Sequence, residues 1–346
     1  MANPIISVAI PTFNSETTLS KTLDSIKKQY YPKNKVEVLV IDGGSTDKTL
    51  KIAHKYGTKI IPNPKTELIF AKHIGFLKAK GKYLINLDSD EVIQSPNSFS
   101  KRLSAFKSIN NIKGLMPTGY KTPPDYSKIN EYINDFGDPF SYFMYGLSQN
   151  ENLYISMLKT GRKVVSENDD FVVLRFGKDK PLPIIELMAG SGMIDLEYFR
   201  TNFPQLINNP SQVAFYFYYM NQKNKLLAIT KNDYIIHYSS GTIKKYLKKI
   251  SSRVKNNVFG TTMGKGGFTG REEFQPPEAH FKKYFFIPYS LSLILPFIDT
   301  VKLLISRKRI IYILHIPLCI YTSALILYYL LLKKINIKPD IGTYGN

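Results

Sequence analysis

The chain has 346 residues, 43% hydrophobic and 21% charged, enough material for about two packed domains and too apolar for disorder over most of its length. Its single cysteine, Cys319, excludes an intrachain disulfide scaffold and a cysteine-rich zinc site, and suits a reducing or redox-indifferent setting. The net charge of +20 is uneven: residues 241–346 hold 17 Lys/Arg against 5 Asp/Glu, whereas the first 240 hold 30 against 22. Such a basic C-terminal part would attract nucleic acid, an anionic membrane face or phosphorylated ligands, and charge alone does not choose among them.

The opening MANPIISVAIPTFN lacks the basic start, long apolar run and small-residue cleavage site of a signal peptide, which predicts a cytoplasmic N-terminal part. From there strand-length apolar runs alternate with amphipathic stretches. Ile5–Ile10 precedes Thr17–Tyr30, Val36–Ile41 precedes Lys48–Tyr56, Ile60–Ile61 precedes Glu67–Lys80, and Tyr83–Leu87 follows. This rhythm predicts an α/β fold with a mostly parallel, Rossmann-like sheet flanked by helices. Ligands of such sheets bind beyond the carboxyl ends of the strands. The polar residues there are Pro11-Thr12-Phe13-Asn14, Asp42-Gly43-Gly44-Ser45-Thr46-Asp47 and Asp88-Ser89-Asp90-Glu91.

The middle of the chain, about 97–240, is rich in Tyr and Phe and continues the sheet with less regular patterning. Thr242–Asn257 places Ile243, Tyr246, Leu247, Ile250 and Val254 on one helical face and six basic residues elsewhere, the pattern of a helix lying on a membrane surface. Five glycines within 260–270, then Pro276-Pro277, predict a loop, either a cover for bound substrate or a plain linker. Tyr284–Ile298 is an uncharged run interrupted by Pro288 and Pro296, suited to a re-entrant or interfacial segment or to one arm of a hairpin. Ile310–Leu332 runs 23 residues without a full charge, about 35 Å as a helix, a length that suits a bilayer. Basic residues flank it on both sides, so the positive-inside rule leaves its orientation open.

Asp88 and Asp90 follow the strand KYLINL, where alternation predicts that both carboxylates share one side. Two hard oxygen donors suit Mg²⁺ or Mn²⁺, which complete their shells with water and phosphate oxygens. Taken together, SVAIPTFNSETTLSKTLDSIKKQ, VEVLVIDGGSTDKTLKIA and AKHIGFLKAKGKYLINLDSDE resemble, in order and spacing over residues 5–92, the family-2 nucleotide-sugar glycosyltransferases of the GT-A fold. The resemblance implies donor contacts from Pro11, Thr12, Phe13, Glu16 and Asp42, with Lys72 standing near the phosphates where relatives carry arginine. It assigns ribose to Asp88 and metal to Asp90, with His237, at the end of NDYIIH, approaching the diphosphate or metal. Where relatives often carry a second aspartate this chain has Gly43, which leaves the base preference open.

The family's acidic pair, one member of which is the general base, has no counterpart in NNPSQVAFYFYYMNQKN. Glu186 and Asp195, on either side of the small-residue stretch Ala189-Gly190-Ser191-Gly192-Met193, are the nearest substitutes. Asp138 and Asp169-Asp170 read better as turn formers. A lipid phosphate acceptor, already anionic, would need no base.

The resemblance, together with the apolar C-terminal runs and the absence of a signal-peptide pattern, therefore implies a membrane-attached, metal-dependent inverting glycosyltransferase, its catalytic part on the cytoplasmic face of the cell membrane. The acceptor would be lipid-linked or membrane-proximal, and nucleic acid is not an expected partner. The expected organisation is a GT-A domain over 1–240, split at 95/96 into donor and acceptor halves. An interfacial helix and loop over 241–283 and a membrane-associated segment over 284–346, with one or two crossings, would follow. The alternatives are a polyprenyl-phosphate sugar synthase, a non-catalytic membrane-tethered binder and a nucleic-acid-binding protein; the last predicts steeply salt-dependent oligonucleotide binding.

Overall fold

In the computed structural model, residues 4–109, 111–177, 191–260, 264–265 and 267–340 are described. The first seven elements alternate as the sequence predicts: β1 (Ile6–Thr12), α1 (Leu19–Lys27), β2 (Val36–Asp42), α2 (Thr49–Lys55), β3 (Lys59–Pro62), α3 (Leu68–Lys78) and β4 (Tyr83–Asn86). All seven residues of β1 are buried, as expected for a strand covered on both faces by crossover helices. On α1, Leu19, Leu23 and Ile26 are buried at the spacing of one helical face. Gly75 lets α3 approach the sheet, since a Cβ there would lie 2.7 Å from Ala9 Cβ and 3.2 Å from Ile41 Cδ1.

After β4 come β5 (Glu91–Ile93), α4 (Ser98–Ser108), β6 (Gly114–Met116), β7 (Tyr120–Lys121), α5 (Ile129–Phe136) and α6 (Pro139–Tyr145). The later strands are β8 (Lys163–Glu167), β9 (Phe171–Arg175), β10 (Met193–Asp195), β11 (Leu226–Thr230) and β12 (Ile235–His237). Nine strands form one sheet in the order β3-β2-β1-β4-β10-β6-β11-β9-β8, and β5-β12-β7 form a small second sheet. β3, β2, β1 and β4 are parallel, whereas β10 runs antiparallel to both of its neighbours and β9 pairs antiparallel with β11 and β8. The sheet is thus parallel through its four N-terminal strands and mixed beyond them, where β6 and β11 pair in parallel between antiparallel neighbours. Strand order reverses at β1, which lies between β2 and β4, and the crevice outside their carboxyl ends is a topological switch point.

A fully buried ion pair ties the two sheets together. Arg102 on α4 donates from Nε to Asp233 Oδ2 at 2.8 Å and from its guanidinium to the Ser191 carbonyl, while Asp233 also accepts from Thr230 at 2.8 Å. Burial pushes the Asp233 carboxyl up, but Arg102, Ser98 and Thr230 outweigh it and hold the group below the usual carboxylate range.

The C-terminal part differs from its sequence reading in two respects. The helix Ile243–Phe259 turns Tyr246, Ile250 and Val254 into a core shared with α5 and the last helix, so most of the stripe expected on lipid is packed against protein. In the glycine-rich stretch, Gly267–Arg271 is helical and Glu272–Phe274 forms a 3-10 turn. Beyond it, Pro277–Leu291 and Ile294–Arg307 form a helical pair bent by 89°, and Ile310–Lys334 is long and apolar enough to cross a membrane.

Two substitutions test this packing. Gly75→Val should cost about 1–3 kcal/mol by forcing α3 off the sheet, and Arg102→Met about 3–5 kcal/mol by stranding Asp233. Urea unfolding midpoints measure both, and wild-type midpoints would contradict the packing described.

Candidate active site

The loop after β1 and the loop after β2 are knotted by side-chain hydrogen bonds. Asp42, buried at the end of β2, accepts from Thr12 Oγ1 at 3.0 Å and Ser45 Oγ at 2.6 Å on one oxygen, and from the Gly44 and Ser45 amides, both at 2.9 Å, on the other. Each carboxylate oxygen therefore already holds two donors, and a nucleobase would have to compete with them. Asn14 Oδ1 accepts from Thr46 N at 2.9 Å, and Glu16 Oε2 accepts from Lys48 N at 3.1 Å. Pro11 and Thr12 are buried, Phe13 is half-buried and Glu16 is exposed.

The acidic loop sits beside this knot. Ser89 Oγ lies 2.9 Å from Ser15 Oγ, and the Ser89 carbonyl accepts from Thr22 Oγ1 at 3.0 Å. β4 ends at Asn86, so Asp88 and Asp90 stand on a turn and the strand-alternation argument for a shared face does not apply to them. Their carboxylates have separate partners: Asp88 Oδ1 is 3.2 Å from Lys72 Nζ on α3, and Asp90 Oδ2 is 3.8 Å from His237 Nε2. Glu91 anchors the turn from beneath, accepting from the Asp88 amide at 3.0 Å and from the Tyr120 hydroxyl at 2.6 Å. Burial and the neighbouring Asp88 push its carboxyl up to about 8.

β12 delivers His237 by pairing antiparallel with β5, which sets His237 opposite Glu91 and lets Tyr238 N donate to the Asp90 carbonyl at 2.9 Å. Two buried amides on α5 hold it there. Asn130 Nδ2 donates to the His237 carbonyl at 2.7 Å. Asn134 Nδ2 donates to Thr122 Oγ1 at 3.1 Å and to the same carbonyl at 3.4 Å, so its Oδ1 is the acceptor 2.8 Å from His237 Nδ1. The ring proton therefore sits on Nδ1 and the Nε2 lone pair faces Asp90, the orientation in which a metal-ligating histidine is held by a second partner. Burial, then Lys249, lower the His237 pKa to about 3, so the ring is neutral. Burial pushes the Asp90 carboxyl up, against the pull of Lys249 and Lys72.

Among the described residues no three acid, histidine or cysteine side chains converge as a complete metal cluster. A carboxylate oxygen and a neutral imidazole nitrogen 3.8 Å apart could share one Mg²⁺ or Mn²⁺ by closing to about 3.0 Å, the span of adjacent octahedral ligands about 2.1 Å from the ion, which draws its remaining ligands from water and phosphates.

The general-base candidates fare differently. Asp195 caps the helix that follows β10, accepting from Tyr198 N at 3.0 Å, and pairs with Lys113 at 3.2 Å. Because β10 is antiparallel to β4, Asp195 faces Tyr83 at the start of that strand, about 16 Å by strand rise from Asp88. It lies at the wrong edge of the sheet for a base, and that expectation is corrected. Glu186 lies outside the described residues. Asp138 caps α6 and pairs with Arg253 at 3.1 Å, and Asp170 pairs with Lys101 at 3.3 Å, both structural roles.

Sequence reasoning missed Asn130, Asn134, Tyr120 and the anchoring role of Glu91. One signal was present: INEYINDF is an amphipathic turn carrying two amides four residues apart, hence on one helical face. Nitrogen NMR of the metal-free protein should find His237 neutral and protonated on Nδ1 at pH 5, whereas a doubly protonated ring would contradict the geometry. Since its folded value is lowered from the usual 6.5, the unfolded chain takes up the proton first, and acidification from 6.5 towards about 3 should cost stability.

A family model described as glycosyl transferase family 2 matches residues 7–158. The poly(ribitol-phosphate) beta-N-acetylglucosaminyltransferase TarS of Staphylococcus aureus is 36% identical over 95 residues, 25% of this chain and 16% of TarS. A Methanococcus voltae protein, dolichyl N-acetyl-alpha-D-glucosaminyl phosphate 3-beta-D-2,3-diacetamido-2,3-dideoxy-beta-D-glucuronosyltransferase, is 39% identical over 87 residues, 23% of this chain and 27% of that protein. The chain thus spans less than a third of either relative's length. The structure of mannosyltransferase PcManGT from Pyrobaculum calidifontis in complex with GDP-Man and Mn²⁺ is similar in fold, with 12% identity and a TM-score of 0.53 over 95% of this chain and 88% of that one.

Proposed function

Because residues 7–158 match the model of glycosyl transferase family 2, we propose that the chain is an inverting glycosyltransferase that takes a sugar from a nucleotide diphosphate donor and passes it to a lipid-linked or membrane-proximal acceptor. The observation that carries this reading is the meeting of Asp88, Asp90, His237 and Lys72 at the β1/β4 switch point. Lys72, balanced on Asp88 in the absence of substrate, offers its ammonium to the donor's pyrophosphate, and Asp88 is then released to accept from a ribose hydroxyl. Asp90 and His237 would hold Mg²⁺ or Mn²⁺, which when bound neutralises the departing diphosphate. Asp42, Thr12 and the Gly44-Ser45 amides keep the two flanking loops in one conformation, and Pro11, Phe13 and Glu16 would contact the nucleoside. The protein similar in fold that was solved with GDP-Man and Mn²⁺ supports a metal-assisted donor, and the Methanococcus voltae relative, named for a dolichyl phosphate substrate, supports a lipid-linked acceptor.

One observation favours a second reading for the acceptor. Asp195 is at the far edge of the sheet and residues 205–224 contain no acid, so an acceptor that brings its own anionic oxygen, such as a polyprenyl phosphate, fits the residues in view.

Protein in detergent, incubated with UDP- and GDP-sugars, Mn²⁺ or Mg²⁺ and polyprenyl phosphate or lipid-linked saccharide, tests both readings. Chelator should abolish transfer, Asp90→Ala should lower kcat by about a hundredfold or more, and Lys72→Ala should mainly raise the donor KM. Full activity of Asp90→Ala, or of the chelated wild type, would overturn the proposal.

A further inference from the structure

We infer that the C-terminal helices enter a single leaflet of an anionic bilayer and do not cross it, an inference that rests on the membrane-proximal reading above. The terminal helix His315–Lys334 has the length for a crossing, yet it is strapped lengthwise to Ile243–Phe259. Tyr321 Oη donates to the Leu247 carbonyl at 3.4 Å, Tyr329 Oη lies 2.9 Å from Ser251 Oγ, and Lys333 Nζ donates to the Val258 carbonyl at 2.7 Å. The contacts advance in the same direction on both helices, so the two run side by side and parallel.

A crossing by one helix would drag the other into hydrocarbon with Lys244, Lys245, Lys248, Lys249, Arg253 and Lys255, each a costly residue at the bilayer centre. The near end of the terminal helix is also fixed to the α/β body, because Asp135 on α5 accepts from Arg307 at 2.9 Å and from Tyr312 Oη at 2.6 Å. Up to Leu327 the terminal helix leaves one stripe uncovered, Pro317, Ile320, Ala324 and Leu327, at the spacing of a single helical face, and its last turns expose Tyr328, Leu330 and Leu331 as well. That is the exposure of a helix lying flat beneath the body.

The bent pair fits the same plane. Its arms, 15 and 14 residues, are about 22 and about 21 Å long against roughly 30 Å of hydrocarbon, and they meet at 89°. At the knee Leu293 has φ +57°, and Leu291, Leu293, Ile294, Leu295 and Phe297 are about half exposed or more. Lys282 on one arm and Lys308, just past the end of the other, are exposed and give the wedge a cationic rim. With 17 basic and 5 acidic residues in 241–346, a second copy pressed on this surface would repel it, whereas anionic headgroups match it.

Single cysteines at Lys308, Lys338, Leu293 and, on the exposed face of α2, Lys51 test the inference in the full chain with Cys319→Ala. The wild-type chain, whose buried Cys319 should not react, is the parallel control. Right-side-out and inverted vesicles from the expression host are treated with a membrane-impermeant maleimide. Positions 308, 338 and 51 should label from the same face, and 293 only after detergent. Labelling of 308 and 338 from opposite faces would overturn the single-leaflet arrangement and leave membrane attachment standing. A chain found in the soluble fraction as an oligomer, with position 293 labelled without detergent, would overturn both.

Discussion

β12 lies against β5 in a register that sets His237 opposite Glu91, and the candidate site depends on that pairing. The acidic turn belongs to the end of β4 in the large sheet, while the histidine arrives from a second sheet about 145 residues later in the chain. Backbone hydrogen bonds between β5 and β12 convert that sequence distance into a separation of 3.8 Å between Asp90 and His237. Glu91 serves both sides, holding the turn through the Asp88 amide and the outer strand β7 through Tyr120. A pair of facing ligands assembled this way needs to close by only about 0.8 Å when a cation arrives, which is the value of positioning residues held by packing and by outer hydrogen bonds.

α5 joins this site to the C-terminal helices. Adjacent residues on it face opposite tasks: Asn134 fixes the His237 ring, and Asp135 takes Arg307 and Tyr312 from the bent pair and the start of the terminal segment. Asn130, one turn earlier, braces the end of β12. All of these side chains are buried on α5, so the helix is a rigid spacer between the switch-point crevice and the apolar surface below. An acceptor carried by a lipid would be presented to the donor at a height set by this spacer.

Much of the N-terminal half was legible in the sequence because parallel α/β units write their period openly: strand-length apolar runs such as ISVAIPT and VEVLVID, each followed by an amphipathic helix. The loops of the candidate site follow these strands and were legible for the same reason. Later strands of two or three residues, such as β7 and β10, carry too little pattern to be read, and the antiparallel course of β10, which decides the fate of Asp195, is a tertiary fact. The stripe on Ile243–Phe259 was real, but periodicity shows that a face is apolar and not what covers it; here much of the cover is Tyr132, Phe136 and the terminal helix. The strand-alternation argument for Asp88 and Asp90 failed because β4 stops before them, although the pair still reaches the site through the turn.

The account stands on Asp90 and His237 acting as joint ligands for a divalent cation beside a donor's diphosphate. A crystal structure with Mn²⁺ and a nucleoside diphosphate, with data at the manganese absorption edge, tests this most directly. The account predicts one anomalous peak within bonding distance of Asp90 Oδ2 and His237 Nε2, shared with phosphate oxygens, while Lys72 leaves Asp88 for the diphosphate. Manganese bound elsewhere, or a diphosphate seated away from the β1/β4 crevice, would contradict it.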